Sequence, residues 1–124
     1  MTVTEQFAEA LTALETTRDL EPFLAQFSDA AELARPEAGG REQGADGARR
    51  YWQAYLDQFQ HVRSEFSRVE ESGHLGELEW VSTGKLASGR DISYAGVSLL
   101  AVEDGRVRRF VSYYDTAAFL IKPT

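Results

Sequence analysis

The chain has 124 residues, 43% of them hydrophobic, which is enough for one domain with a core of its own. Its 13 Lys and Arg against 20 Asp and Glu give a net charge of −7, which repels a phosphate backbone and argues against a nucleic-acid partner. Because the chain contains no cysteine, a disulfide framework and a thiolate nucleophile are both excluded.

The N-terminal segment has the hydrophobic pattern of a helix. Between residues 3 and 17 apolar side chains recur at intervals of three and four, which predicts an amphipathic helix. The first twenty residues carry three glutamates and no apolar run, so they fit neither a signal peptide nor a membrane span, and we expect a cytoplasmic protein without membrane contact. A second, short helix is predicted from Leu20 to Phe27, with Asp19 as its cap and Pro22 in its first turn.

A glycine-rich stretch separates the first helices from the third. A short strand is predicted over residues 30–34 and ends before Pro36. Residues 36–47 contain four glycines and a proline, which predicts a mobile loop and a possible lid. The third helix is predicted to begin at Asp46 as its cap, with an apolar face that includes Tyr51, Trp52 and Tyr55.

The C-terminal half has the patterns of strands. Residues 62–69 fit a helix or a bulged strand equally well, whereas residues 77–86 alternate as a strand does. Residues 92–102 are apolar on both faces, which is typical of a strand covered on both sides. An Asp-Gly step at 104–105 predicts a hairpin. Strict alternation would then place Val107, Arg109, Val111, Tyr113 and Asp115 on one face of the last strand.

Helices followed by a run of antiparallel strands predict an α+β fold. Several short motifs also resemble the SnoaL-like branch of the nuclear transport factor 2-like superfamily, which includes polyketide cyclases, ketosteroid isomerase and scytalone dehydratase. The motifs are Phe27-Ser28-Asp29, Gly44 before an aromatic third helix, Trp80-Val81-Ser82-Thr83-Gly84, residues 97–107 (VSLLAVEDGRV), and Tyr113-Tyr114-Asp115 followed by Phe119.

This resemblance implies a single SnoaL-like domain over residues 1–124. Its fold would be a cone-shaped, curved antiparallel sheet wrapped around the N-terminal helices, with a mostly apolar cavity inside. The resemblance also implies that residues 62–72 form a strand and that two copies pair through the outer face of the sheet. The Arg-x-Asp arrangement of the related epoxide hydrolases is missing, since the comparable strand reads Glu77-Leu78-Glu79-Trp80.

Asp115 occupies the position at which SnoaL-like cyclases carry their acid/base aspartate. A carboxylate at the wall of an apolar cavity would have a raised pKa, which suits a general base. Tyr113 lies two residues before Asp115 and so faces the same way along the strand. Its phenol would donate a hydrogen bond to a developing enolate oxygen. The alternatives are that Asp115 only caps the last turn and that Tyr113 is only a wall residue. The oxyanion pair of ketosteroid isomerase has no residue-by-residue match in this chain.

Four aromatic residues and one arginine are further candidates for ligand binding. Trp52, Tyr55, Trp80 and Tyr94 are predicted to line the pocket, with a purely structural core role as the alternative. Arg109 would anchor an anionic ligand if its face is concave, although a solvated face is the usual place for such an arginine. Asp29 is interpreted as a turn residue, and His61 and His74 have no second ligand near them, so no metal site is predicted.

The functional hypothesis is proton transfer next to a carbonyl in a small hydrophobic or carbonyl-bearing molecule, of isomerase, cyclase or dehydratase type and without a cofactor. Its main alternative is a non-catalytic, dimeric ligand-binding or accessory protein of the same fold. A third possibility is a dimerisation module whose cavity is filled by Trp52, Trp80 and Tyr94. Fold alone does not decide among them.

Overall fold

The computed structural model describes residues 1–120, which form three helices and six strands. The helices are α1 (Val3–Thr17), α2 (Leu20–Leu24) and α3 (Gly44–Asp57). The strands are β1 (Phe27–Arg35), β2 (Gly40–Gln43), β3 (Phe59–Ser72), β4 (Leu75–Leu86), β5 (Asp91–Glu103) and β6 (Arg106–Tyr114). Short 3₁₀ turns follow β1 and β6, at Pro36–Ala38 and Thr116–Phe119. The α+β class and the strand at 62–72 are confirmed. The sequence also predicts that Ile121 packs back on the domain after the last turn, and that residue lies outside the described residues.

All six strands belong to one curved sheet with the order β2-β1-β6-β5-β4-β3. The neighbours pair antiparallel except β1 and β6, which run parallel, so the sheet is mixed. Register shifts interrupt the β3–β4 ladder near Phe59 and again near Phe66. Such bulges bend a strand and increase its twist, which helps the long strands curve around the helices.

The core lies between the concave face of the sheet and the helices. Helix α1 begins with a capping box, in which Thr2 Oγ1 accepts from Glu5 N and Glu5 Oε1 accepts from Thr2 N. Its apolar stripe packs into an aromatic cluster whose ring centroids lie 4.7 to 6.4 Å apart. The cluster consists of Phe7, Phe23, Phe27, Trp52 and Phe110.

The glycine-rich segment is more ordered than its composition indicated. Residues 36–47 are not a loop throughout, because β2 pairs with β1 and places Arg35 opposite Gly40. Helix α3 begins at Gly44 with Gln43 as its N-cap residue, so the prediction that Asp46 is the cap was wrong. Gly39 takes φ +77°, a left-handed conformation that suits glycine in the tight connection between the strands. Helix α2 is also shorter than predicted and ends at Leu24 because β1 begins at Phe27.

The last hairpin contains a bulge that changes which residues face the core. Asp104 and Gly105 both have positive φ, in agreement with the predicted turn. Ala101 lies opposite Arg109 while Val102 lies opposite Val107, so β6 carries one extra residue. Val107 and Phe110 therefore both join the core. The prediction that Val107 and Arg109 share a face was wrong, because a bulge breaks strict alternation.

Candidate functional site

A cavity opens between the helices and the concave face of the sheet. The space that the centre of a water molecule can occupy there measures about 40 Å³, and all the space between the walls, including the part open to solvent, measures about 500 Å³. The first volume holds about three waters at roughly 10–15 Å³ each. The walls combine aromatic rings with hydroxyl groups: Leu11, Arg35, Tyr51, Trp52, Tyr55, Gln58, Ser64, Trp80, Ser82, Tyr94, Ser98, Phe110, Ser112 and Tyr114.

The four aromatic residues proposed from the sequence all lie in this wall. Trp52 and Tyr55 come from α3, and their rings meet at 5.3 Å between centroids. Trp80 and Tyr94 come from neighbouring strands and meet edge to face at 5.4 Å. Trp80 lies across Gly96, where an added Cβ would come within 2.5 Å of the indole. The aromatic walls suit a planar ligand, and a role of these residues in binding stays a prediction.

A buried carboxylate lies behind one end of the cavity. Glu15, near the end of α1, is only 8% exposed. Its Oε2 accepts hydrogen bonds from Tyr55 Oη at 2.6 Å and Ser64 Oγ at 2.7 Å, and its Oε1 accepts from Ser64 N at 2.7 Å. Burial raises the pKa of the Glu15 carboxyl, and the three hydrogen bonds only partly offset that effect. The carboxylate touches the cavity through the two hydroxyls that donate to it.

A second serine extends this network along the wall. Ser64 and Ser82 are cross-strand partners whose hydroxyl oxygens lie 2.6 Å apart. Because Ser64 Oγ donates to Glu15, the proton in the Ser64–Ser82 bond must come from Ser82. Tyr94, the partner of Ser82 in the β4–β5 ladder, lies in the same wall, and burial raises the pKa of its phenol. An ionised Glu15 therefore orients a row of hydroxyls toward itself.

A separate pair of serines lies on the next strands. Ser98 and Ser112 are partners in the β5–β6 ladder, with 2.7 Å between their hydroxyl oxygens. Trp80 Nε1 donates to Ser98 Oγ at 3.0 Å, which fixes the orientation of the indole in the wall. The polar wall is thus built from two cross-strand serine pairs on the inward positions of β3 to β6.

The other end of the cavity carries a positive charge. Arg35, at the end of β1, lies in the wall with its guanidinium carbon 4.4 Å from the centroid of the Tyr51 ring. Tyr114 is half-buried in the same wall. Burial raises the pKa of both phenols, although the Arg35 charge partly lowers it. Among residues 1–120, Arg35 is the only lysine or arginine in the wall.

The cavity phenols are neutral donors. Burial raises the pKa of Tyr51, Tyr55 and Tyr94, and the Glu15 charge raises that of Tyr55 further. Each phenol has one proton, and Tyr55 gives its own to Glu15 while Tyr51 gives its own to Ala34 O at 3.3 Å, so Tyr94 is the one left to donate to a ligand oxygen. One more donor is free, since Trp52 Nε1 is buried and has no acceptor among the described residues.

Three residues proposed from the sequence lie outside the cavity. Tyr113 is 40% exposed on the outer face of β6, and Arg109 is exposed on the same face. Asp115 is exposed and its Oδ1 accepts from Ala117 N at 3.1 Å, which is the capping role considered as its alternative. The expected placement of all three in the pocket wall was wrong, because the concave face of β6 carries Phe110, Ser112 and Tyr114 instead. Their catalytic and binding roles stay predictions.

Sequence reasoning missed Glu15 and Arg35. Glu15 follows Leu11 by four residues and Phe7 by eight, so its position on the buried stripe of α1 was a usable signal. Arg35 was not singled out because the segment after it has the composition of a loop. Asp29 is exposed in β1, His61 is exposed in β3, and the His74 ring lies 3.0 Å from Val102 O.

Within residues 1–120 no helix is long and apolar enough to span a membrane. In the same residues no three Asp, Glu or His side chains come together in the manner of a metal-binding group.

Solved structures share this architecture. An NTF2-like protein of unknown function from Burkholderia pseudomallei is 21% identical and superposes with a TM-score of 0.84 over 96% of this chain and 95% of that one. TerC, co-crystallised with polyporic acid, is 20% identical with a TM-score of 0.80 over 95% of each chain. A protein from Catenulispora acidiphila with a ketosteroid isomerase-like fold, in complex with trimethylamine, is 16% identical with a TM-score of 0.79 over 90% and 87%. At these identities the likeness establishes the fold.

The sequence itself establishes the family. No curated protein matches the chain significantly. The SnoaL-like domain profile, however, matches residues 4–110, from the first turn of α1 to the middle of β6. The matched range contains Glu15, Arg35 and almost all of the cavity wall. This chain therefore belongs to the SnoaL-like domain family.

Proposed function

We propose that this domain binds a small hydrophobic or carbonyl-bearing molecule in the cavity and moves a proton next to its carbonyl, as isomerases do. The observation that carries the proposal is the Glu15 carboxylate, which is buried yet hydrogen-bonded to two hydroxyls of the cavity wall. The ligand-bound relatives TerC and the Catenulispora protein support small-molecule binding in this fold. The chemistry needs no cofactor.

The hydroxyls connect the ligand to Glu15. As the bond to an acidic C–H of the ligand breaks, the Tyr55 or Ser64 oxygen accepts that proton and passes its own proton to Glu15. The raised pKa of Glu15 favours holding the proton, which is what a general base must do. The negative charge that develops on the carbonyl oxygen would be stabilised by a neutral donor such as Trp52 Nε1–H. Where the ligand has a double bond conjugated with the enolate, return of the proton to the far carbon of that double bond completes an isomerisation.

A non-catalytic binding protein is the second candidate, and one observation favours it. Both oxygens of Glu15 already accept hydrogen bonds from the protein, and Glu15 itself does not form part of the wall. A carboxylate in that state would simply hold Tyr55 and Ser64 in place. In this case the ligand would bind without any loss of its protons.

Deuterium exchange separates the two candidates. Purified protein would first be examined by native mass spectrometry for retained small molecules, and a panel of ketones and unsaturated acids would be tested for binding. Ligands that bind would then be incubated in D₂O and followed by NMR. The proposal expects deuterium at the carbon next to the carbonyl, with at least about a 100-fold slower rate in Glu15→Gln.

Asp115→Asn is the matched control, because it changes a carboxylate to its amide outside the cavity. Exchange should persist in this variant. Binding without exchange in the wild type would establish the non-catalytic candidate, and the absence of any bound molecule would overturn both. Exchange lost in Asp115→Asn but kept in Glu15→Gln would restore Asp115 as the base.

Two further expectations belong to this proposal. A homodimer would form through the outer face of the sheet, where Val81, Val97 and Tyr113 lie close together on β4, β5 and β6. Val81 is 46% exposed and Tyr113 is 40% exposed, and such an apolar patch suits a partner. Sedimentation would show a dimer that Val81→Arg converts to monomer, and a wild-type monomer would contradict this expectation. The cytoplasmic location stays a prediction.

A further inference from the structure

We infer that the cavity selects a small, planar monocarboxylate whose anionic group pairs with Arg35 and whose uncharged end faces Glu15. The inference rests on the proposed function, because it requires that the cavity hold a ligand. It adds the chemical class of that ligand and the direction in which it lies. Aromatic and conjugated acids belong to this class.

Arg35 is positioned for a ligand. Its guanidinium stacks on Tyr51, 4.4 Å from the ring centroid. Gly40, its partner in the β1–β2 ladder, lies against the same side chain, and a Cβ at that position would come within 2.5 Å of Arg35 Nε. The strand pairing holds Gly40 beside Arg35, and because glycine has no Cβ the guanidinium has room to lie in the cavity wall.

No protein carboxylate within residues 1–120 forms an ion pair with Arg35, although six other ion pairs are present there. Glu37 lies two residues away, but it is exposed on the 3₁₀ turn. An arginine presents its donors in a planar fork that matches a carboxylate, and a half-buried fork strengthens that pair. Tyr114 adds a hydroxyl at the same end, whereas the Tyr51 hydroxyl donates to Ala34 O at 3.3 Å.

The opposite end of the cavity excludes a second anion. Glu15 lies behind Tyr55 and Ser64, and its charge would repel another carboxylate at low local dielectric. The hydroxyls in front of it give their protons to Glu15, and their oxygens can still accept a hydrogen bond from a phenol of the ligand. The charges at the two ends therefore select a ligand that is anionic at one end only.

The walls between the two ends limit the shape of the ligand. Trp52, Tyr55, Trp80 and Tyr94 present ring faces and edges, which favour a flat molecule. The small open space favours a single ring or a short conjugated chain. Trp52 also lies in this wall, and its buried Nε1–H has no acceptor among residues 1–120.

The test uses three single-ring probes of similar size that carry one, no and two negative charges. Binding of 4-hydroxybenzoate, 4-hydroxybenzamide and terephthalate would be measured by NMR titration against the wild type. We expect 4-hydroxybenzoate to bind about 10- to 100-fold more tightly than its neutral amide, the effect of one hydrogen-bonded charge pair. Terephthalate should bind more weakly than 4-hydroxybenzoate despite its extra charge.

Arg35→Gln should remove the preference for the carboxylate while leaving the affinity for the amide unchanged, which also shows that the variant is folded. Arg109→Gln is the matched control on the outer face of the sheet and should keep the preference. If Arg35→Gln does not fold, Gly40→Ala displaces the same guanidinium and should reduce the preference in the same direction.

Equal binding of 4-hydroxybenzoate and its amide by the wild type would overturn the inference and leave the proposed function standing. A preference that survives Arg35→Gln, or that is lost in Arg109→Gln, would also overturn it. Failure of all three probes, together with a neutral ligand found by native mass spectrometry, would refute the anion inference alone. Failure of every small molecule to bind would refute both proposals.

Discussion

The two ends of the cavity differ in whether the protein satisfies its own charge. At one end Glu15 receives three hydrogen bonds from Tyr55 and Ser64, so the fold itself supplies its partners. At the other end Arg35 stacks on Tyr51 and has no carboxylate partner among the described residues. The first end contributes to folding, and the second is available to a ligand.

This contrast follows from the cost of burying charge. A buried carboxylate is expensive to desolvate and is tolerated when several donors surround it. Arg35 is half-buried and keeps part of its hydration, so the free energy cost of leaving it without a protein partner is small. Stability should therefore depend on the Glu15 end and ligand affinity on the Arg35 end.

The largest expected effect is on stability at the Glu15 end. Glu15→Ala leaves the Ser64 N–H, the Ser64 hydroxyl and the Tyr55 hydroxyl without their acceptor in a buried site. We expect the free energy of unfolding to fall by about 2–4 kcal/mol, measured by urea denaturation. The control is Glu9→Ala, on the exposed side of the same helix, which should change little. Equal losses in both variants would contradict the contrast.

The pH dependence of stability gives a second, smaller effect. Because the folded pKa of Glu15 is raised above its ordinary value of 4.5, its stabilising contribution is fully present below about pH 4.5 and is lost as pH rises through the raised pKa. The stability advantage of the wild type over Glu15→Gln should therefore shrink from pH 4 toward pH 7, measured by denaturation at each pH.

Glu5 supplies a control with the opposite sign. Its pKa is lowered, mainly because its carboxylate accepts a hydrogen bond from the Thr2 backbone, so its contribution is present at neutral pH and is lost as pH falls. The advantage of the wild type over Glu5→Gln should grow with pH. If the stability advantage of the wild type changed with pH in the same direction for both variants, Glu15 would not be desolvated as described.

At the Arg35 end the expected effect on stability is small. Arg35→Gln removes only the stacking on Tyr51, a contact of about 0.5–1 kcal/mol at a partly exposed site. Thermal and urea unfolding should shift by no more than that amount, even though carboxylate binding is lost. A loss as large as that of Glu15→Ala would show that Arg35 has a structural partner and would remove the difference between the ends.

The smallest effect is expected outside the cavity. Asp115 caps the final 3₁₀ turn through Ala117 N, and asparagine caps about as well as aspartate. Asp115→Asn should therefore leave the unfolding free energy unchanged within about 0.5 kcal/mol, and Asp115→Ala should lower it by about 0.5–1 kcal/mol. Ligand affinity should be the same in both variants, and a change in affinity would place Asp115 in the functional site.

Prediction from sequence succeeded where a single strong local signal acted. The range of α1 follows from its apolar spacing and its capping box. The turn between β5 and β6 follows from the Asp104-Gly105 step. The resemblance also led to the correct fold and to Trp52, Tyr55, Trp80 and Tyr94 as wall residues. These features depend on short stretches or on a family pattern spread over most of the chain.

Prediction failed where a distant contact decided the outcome. The segment after Arg35 has the composition of a loop, yet pairing with β1 makes part of it a strand. One extra residue in β6 puts Phe110 and Tyr114, and not Tyr113 and Asp115, on the concave face. Bulges and edge pairing arise from register between strands, which local periodicity does not contain.

The amino-acid sequence by itself determined the class of fold, most helix and strand positions and the aromatic character of the cavity, because hydrophobic spacing and turn residues act locally. Only the tertiary structure decided which polar groups meet. Glu15 and Ser64 are 49 residues apart and become partners because α1 packs across β3. Arg35 reaches the cavity because β1 joins β6 in the sheet. Such contacts depend on packing between distant segments, and they place opposite charges at the two ends of one cavity.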